Sequence, residues 1–175
     1  KIARSADSSL QQLAAVTTLG RYASIGGSID AVKASGFAAE TYTQAYAKSL
    51  GLETFQVQRK NGTGFDLLTA RVDAKGMVTD VMMLDVKNTV GLVDSITAFG
   101  AGAKRPGNYL GNLDYAVKEL RASGDPIAKQ VATSLKDRNF GMAVVAPPGA
   151  RIDPAAMAAV QGRTGKTPTL LGWLP

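Results

Sequence analysis

The spacing of apolar residues changes several times along this chain, and each change marks a boundary between elements. Ser8 to Leu19 carries Leu10, Leu13, Ala14 and Val16 at helical spacing, and Gly26-Gly27 breaks the run. Phe37 to Leu50 predicts a helix that stops at Gly51, a residue suited to the left-handed position past a helix end. Alternation then replaces the helical period. Thr54–Lys60 predicts a first strand, Asn61-Gly62 a tight hairpin, Gly64–Val72 a second strand, Asp73–Gly76 a turn and Met77–Asn88 a third strand.

Beyond the strands, Leu92, Val93, Ile96 and Phe99 predict a short helix. A glycine-rich basic loop, 100–107, leads to a helix with Leu110, Leu113, Val117 and Leu120 on one stripe. Gly124 ends it, and Asp125-Pro126 starts another as N-cap and first helical residue. Phe140–Ala146 is an unbroken apolar run, the pattern of a strand buried on both faces. Asp153-Pro154 repeats the helix start, and Thr167–Pro175, with two prolines and the sole Trp, predicts a tail lying over the surface. This order predicts an α/β (α+β) fold with a mixed central sheet, its antiparallel meander flanked by helices. Residues 1–35 read as a helical lead segment or linker, and 36–175 as the folded domain.

Composition sharpens the chemistry. Against 14 acidic residues stand 20 basic ones, a formal charge of +6 that suits a phosphate-bearing partner. The chain has no cysteine and no histidine. Disulfide scaffolds, zinc–thiolate sites, histidine triads and histidine-dependent ribonucleases are therefore excluded. Hydrolysis here falls to carboxylates, Lys, Tyr, Ser or Thr with a hard metal. No apolar run is long enough for a spanning helix. The start at Lys1, without methionine or a signal-like segment, predicts a processed product or a domain excised from a longer protein.

Within the third strand, Asp85 and Lys87 are two apart and point to one face. Asp66, after Gly64-Phe65, lies one hairpin earlier, so antiparallel pairing can bring its carboxylate near that of Asp85. Two such acids repel unless a cation lies between them. Mg²⁺ (or Mn²⁺) is the expected occupant, held by carboxylates, water and substrate phosphate. Lys87 is placed to orient or deprotonate water, or to neutralise charge in the transition state. A third acid is expected from the helix at Glu40, with Glu53 as the alternative. Asp-x-Lys by itself also fits an ordinary ion pair at a strand end.

Gly162-Arg163-Thr164-Gly165-Lys166-Thr167 looks like a phosphate loop, but Val160 stands where that motif needs glycine and Pro168 blocks the helix that must follow. Arg163 and Lys166, like Lys104 and Arg105, are candidates for contact with a nucleic-acid backbone. Tyr42 and Tyr46, one helical turn apart, read as core packing, with base stacking as the other possibility.

The order Glu40 helix, strand, Gly64-Phe65-Asp66, hairpin, Leu84-Asp85-Val86-Lys87, helix, strand resembles the PD-(D/E)XK nuclease superfamily over residues 36–146. The resemblance implies an αβββαβ, restriction-endonuclease-like core. It implies metal binding at Asp66, Asp85 and Glu40, and catalysis by these with Lys87. Phe65 stands where the motif has proline, and Gln130, Lys118 and Lys104 all compete for the element some members carry on the next helix. The architecture also resembles the C-terminal toxin domains of bacterial contact-dependent growth-inhibition proteins. That second resemblance implies export within a larger bacterial protein and action in the cytoplasm of a target cell. It further implies cleavage of RNA, most of all transfer RNA, in interbacterial competition, and a cognate acidic immunity protein. A DNA endonuclease and a non-enzymatic basic nucleic-acid-binding domain are the alternatives.

Overall fold

The computed structural model describes residues 39–172, except positions 42, 61–62, 89–90, 103–107 and 148. The expected lead segment, Tyr42, the Asn61-Gly62 turn, Lys104 and Arg105 lie outside the described residues. Helix α1 comprises 39–41 and 43–49, and Gly51, at φ 75°, closes it as its position predicts. Strands β1 (Glu53–Phe55), β2 (Leu67–Val72) and β3 (Val78–Val86) follow. The turn between β2 and β3 is built by Asp73, whose Oδ1 accepts from the Lys75 and Met77 N–H groups at 2.8 and 2.9 Å.

The second strand begins at Leu67 rather than Gly64, and three predicted elements differ more widely from what forms. The first strand stops at Phe55 rather than continuing to Lys60. The chain there leaves the sheet and closes its own turn, the Arg59 N–H donating to Thr63 O at 2.8 Å. The short helix predicted over Leu92–Phe99 is instead strand β4 (Leu92–Val93) and a 3₁₀ turn (Thr97–Phe99). Leu92 faces out and Val93 in, which is strand alternation in a segment too short to distinguish by period. The expected surface tail contains strand β7 (Thr169–Gly172), where Pro168 precedes an edge strand.

The remaining helices form where their local signals put them. They are α2 (Tyr109–Ala122), α3 (Pro126–Lys136) and α4 (Pro154–Thr164). The Asp125 and Asp153 carboxylates cap α3 and α4 by accepting from Ile127 and Ala155 N–H. In α2 the inner stripe is Tyr109, Leu113, Ala116 and Leu120, and Leu110 is exposed, because the Tyr109 ring takes the inward place against Phe65.

Strand β5 (Gly141–Ala146) completes a five-stranded mixed sheet in the order β1-β2-β3-β5-β7. The β1-β2 and β2-β3 pairings are antiparallel, and β3-β5 and β5-β7 are parallel. A separate parallel pair joins β4 to β6 (Arg151–Ile152). One face of the main sheet carries Leu68, Met83 and Val144 into a core shared with α2, α3 and α4. The other carries Leu67, Leu84, Val86 and Val145 toward Ala39 of α1. β5 is thus apolar on both faces, as its sequence predicts. Among the described residues no helix is long and apolar enough to cross a membrane.

Candidate active site

Strand β3 delivers its chemistry at its C-terminal end. Met83 and Asp85 share a face, so Asp85 sits at the rim of the larger core, where it is 1 % exposed. The backbone ladder continues one step further, the Lys87 N–H donating to Val145 O at 2.7 Å. That contact carries Lys87 onto the side of Asp85, with Lys87 Nζ 2.7 Å from Asp85 Oδ1. The contact is a short ion pair to a buried oxygen that has no other partner among the described residues.

Asp66 arrives from β2. The register pairs Leu67 with Leu84, so Asp66, one residue before the strand, stands across from Asp85. Its Oδ2 accepts from the Val86 N–H at 2.7 Å and its Oδ1 from Gln58 Nε2 at 2.9 Å. Two neighbours fix its approach. Gly64 takes φ 114°, a conformation that side-chain-bearing residues rarely adopt. Phe65, fully buried, packs its ring 6.1 Å from Phe99 and 6.3 Å from Tyr109. Phe65 is thus an aromatic anchor directly before Asp66.

Glu40 lines the same cleft from α1, close enough to Gln58 for that amide to lower its carboxyl pKa. One amide thus stands between two acids, bonded to Asp66 and near Glu40. Gln58 is a site residue the sequence did not single out. It lies in the stretch read as continuing the first strand, where alternation says only that it is polar. The cleft has a volume of about 470 Å³, and Arg59, Asn108 and Asn112 also line it. Asn108 is the N-cap of α2, its Oδ1 accepting from the Gly111 N–H at 2.9 Å.

The electrostatics follow from crowding acids in a place with little water. Burial, then the charge of Asp85, pushes the Asp66 carboxyl up to about 8, against the lowering effect of the Val86 N–H. Burial also raises Asp85, the attraction of Lys87 opposing it. Glu40 is raised by burial, less its bond to Gln58, with Asp85 adding to the rise. For Lys87 burial works downward, but Asp85, Asp66 and Asp94 outweigh it and the ammonium is held above its ordinary range. A group of this kind keeps a proton or takes up a cation rather than ionise all its acids.

Whether the residues suit a cation can be judged from the donor set: two buried carboxyls side by side, both pushed toward their protonated forms, with Asp85 facing the Lys87 ammonium at 2.7 Å. Among the described residues no three His, Cys, Asp or Glu side chains gather closely enough to hold one ion together. The arrangement suits an ion that takes one or two carboxylates and completes its coordination with water and phosphate oxygens, as Mg²⁺ does. Glu40 joins such a site through Gln58.

The other sequence candidates lie elsewhere. Glu53 is exposed at the start of β1 and does not line the cleft. Gln130 binds the β2–β3 turn, its Nε2 donating to Gly76 O and its Oε1 accepting from Val78 N–H, at the opposite end of β3. Lys118 is exposed on α2. Lys166 stacks over Phe140, 4.6 Å from the ring centroid, before the first residue of β5 and therefore also at the far end of the sheet. Arg163 packs over Gly100 and borders a second cleft with Asp94 and Asp153. Tyr46 lines an apolar groove with Leu84 and Val145, in keeping with a packing role. No protein-family model matches this chain, and no significant match was found among curated proteins or solved structures.

Proposed function

We propose that this chain is a metal-dependent nuclease of the PD-(D/E)XK type, hydrolysing phosphodiester bonds, with RNA as its preferred substrate. The observation that carries the reading is the meeting of Asp66, Asp85, Lys87 and Glu40 around one cleft from three separate elements. The run of helix, antiparallel three-strand meander, helices and parallel strand supports an αβββαβ core. The preference for transfer RNA, the role as an exported toxin and the acidic immunity partner rest on the likeness to growth-inhibition toxin domains drawn from the sequence.

Asp66 and Asp85 would hold Mg²⁺, with Glu40 supporting them through Gln58. When bound, the ion neutralises the phosphodiester and acidifies a water molecule. The chain's own residues divide the remaining work. The Val86 N–H and the Gln58 amide fix the Asp66 carboxylate, so its lone pairs face one way. Asp85 keeps Lys87 protonated. Lys87 therefore serves as a fixed positive charge for the phosphate oxygens as negative charge builds there, rather than as a base that accepts a proton.

The test is cleavage of total RNA and of plasmid DNA, with Mg²⁺ and with chelator. The expected result is metal-dependent RNA cleavage that Lys87→Met lowers by about 10²- to 10³-fold. Asp85→Asn should abolish it while the fold is retained. Cleavage of plasmid alone favours a DNA endonuclease. Full activity in chelator, or undiminished activity of Asp85→Asn, refutes the assignment. Nucleic-acid binding without cleavage by the wild type, under several metals, identifies a binding domain instead.

A further inference from the structure

Arg59 lies on the wall of the same cleft, and nothing in the reading above uses it. Its guanidinium carries five N–H donors in a rigid fork and is always charged. Nη2 donates to Gly111 O at 2.8 Å, and the group stacks over the Tyr115 ring, 4.9 Å from its centroid. Nε is buried without a hydrogen-bond partner. Among the described residues no carboxylate forms an ion pair with it. A permanent charge is thus fixed in a half-buried position by a carbonyl and an aromatic face, with no carboxylate paired to it among the described residues. Holding a cation that way is unfavourable unless an anion completes the arrangement.

The surroundings indicate which anion. Asn112, 7 % exposed, lines the cleft with Arg59, and its Nδ2 reaches Ala98 O only at 3.5 Å. Its amide is weakly engaged and can turn toward a ligand. The cleft therefore carries both signs on its lining, the acids Asp66 and Asp85 and an arginine fork with an amide. A guanidinium fork matches two oxygens of a phosphate in a bidentate manner. A polyanionic strand that presents one phosphate to the acids and their cation has a neighbouring phosphate to offer the fork.

We propose that Arg59, with Asn112 beside it, forms a phosphate subsite that grips the phosphodiester adjacent to the one cleaved. This rests on the nuclease reading, since it takes the bound strand to be nucleic acid. Arg59 is then a binding residue whose removal weakens the hold on the strand.

The experiment measures binding of a short fluorescein-labelled single-stranded RNA by anisotropy across a salt series, with Ca²⁺ in place of Mg²⁺. Wild type, Arg59→Gln and Arg59→Lys are compared, and melting curves establish that each variant is folded. The expected outcome is about tenfold weaker binding for Arg59→Gln, and a salt slope shallower by about 0.7, the loss of one phosphate contact on a single strand. Arg59→Lys should keep the slope and recover only part of the affinity, because the point charge remains and the fork is lost. Should Arg59→Gln not fold, that pattern in Arg59→Lys carries the inference. A wild type that binds RNA while both variants match it in affinity and slope overturns the subsite and leaves the nuclease reading standing. A wild type that neither binds nor cuts nucleic acid overturns both.

Discussion

Stability without metal should fall as the pH rises from 5.5 to 7.5, and the cause is the buried acid cluster. In the unfolded chain Asp66 loses its proton near its ordinary value of 3.8, whereas in the folded protein it keeps that proton to about 8. A carboxyl raised in this way favours folding fully below pH 4, and its contribution is lost progressively up to about pH 8. One proton retained by the folded state is worth about 1.4 kcal/mol per pH unit. Across two units the loss is about 3 kcal/mol. For a domain of this size unfolding in urea has a slope of about 2 kcal/mol/M, so the midpoint should drop by about 1.5 M. Glu40 and Asp85, also raised, act in the same direction. No histidine titrates in this window, because the chain has none.

Urea unfolding followed by far-UV circular dichroism, in chelator, reads this directly. Asp66→Asn is the control: its amide oxygen can still accept from the Val86 N–H, and nothing at that position ionises. Its midpoint should change clearly less than that of the wild type between the two pH values, Glu40 and Asp85 supplying what dependence remains, and should exceed that of the wild type at pH 7.5. Millimolar Mg²⁺ should restore the wild type at pH 7.5 and do much less at pH 5.5, since the ion competes with the proton. At a hundred times its dissociation constant a ligand adds about 2.7 kcal/mol. A chelated wild type equally stable at both pH values, or a slope that Asp66→Asn leaves in place, refutes the argument from crowded acids.

Two further outcomes test the residues that frame the site. Gln58→Met removes the amide shared by Glu40 and Asp66, and should lower metal affinity or activity by about 10- to 100-fold with the fold intact, read as the Mg²⁺ concentration for half-maximal cleavage. Unchanged metal dependence would leave Gln58 with no part in orienting Asp66. Gly64→Ala places a side chain at φ 114°; an added Cβ meets only ordinary contacts at 3.6 Å, so backbone strain alone should cost about 1–3 kcal/mol in urea unfolding. A loss below about 0.5 kcal/mol would mean that the loop rearranges freely.

What could be read in advance, and what could not, divides along a physical line. Asp85 and Lys87 were legible because a strand repeats every two residues, and Asp66 because a short hairpin fixes which residues face each other across it. The Asp-Pro helix starts were legible because capping is settled within a few residues. Gln58 and Arg59 were not, since their use depends on β1 ending at Phe55, and that end is set by how the chain packs onto α2 rather than by its own periodicity. Where Lys166 lies was not legible while nothing told the two ends of the sheet apart; the parallel pairing of β3 and β5 carries it to the end opposite Asp85, so any phosphate it meets is remote from that residue. β7 was hidden for a similar reason, as its Leu170 and Leu171 are both more than a third exposed and show no alternation. The acids of the site therefore come from elements whose own geometry points them inward. Their supports come from a segment that leaves the sheet, where polarity is visible in the sequence but direction is a property of the folded molecule.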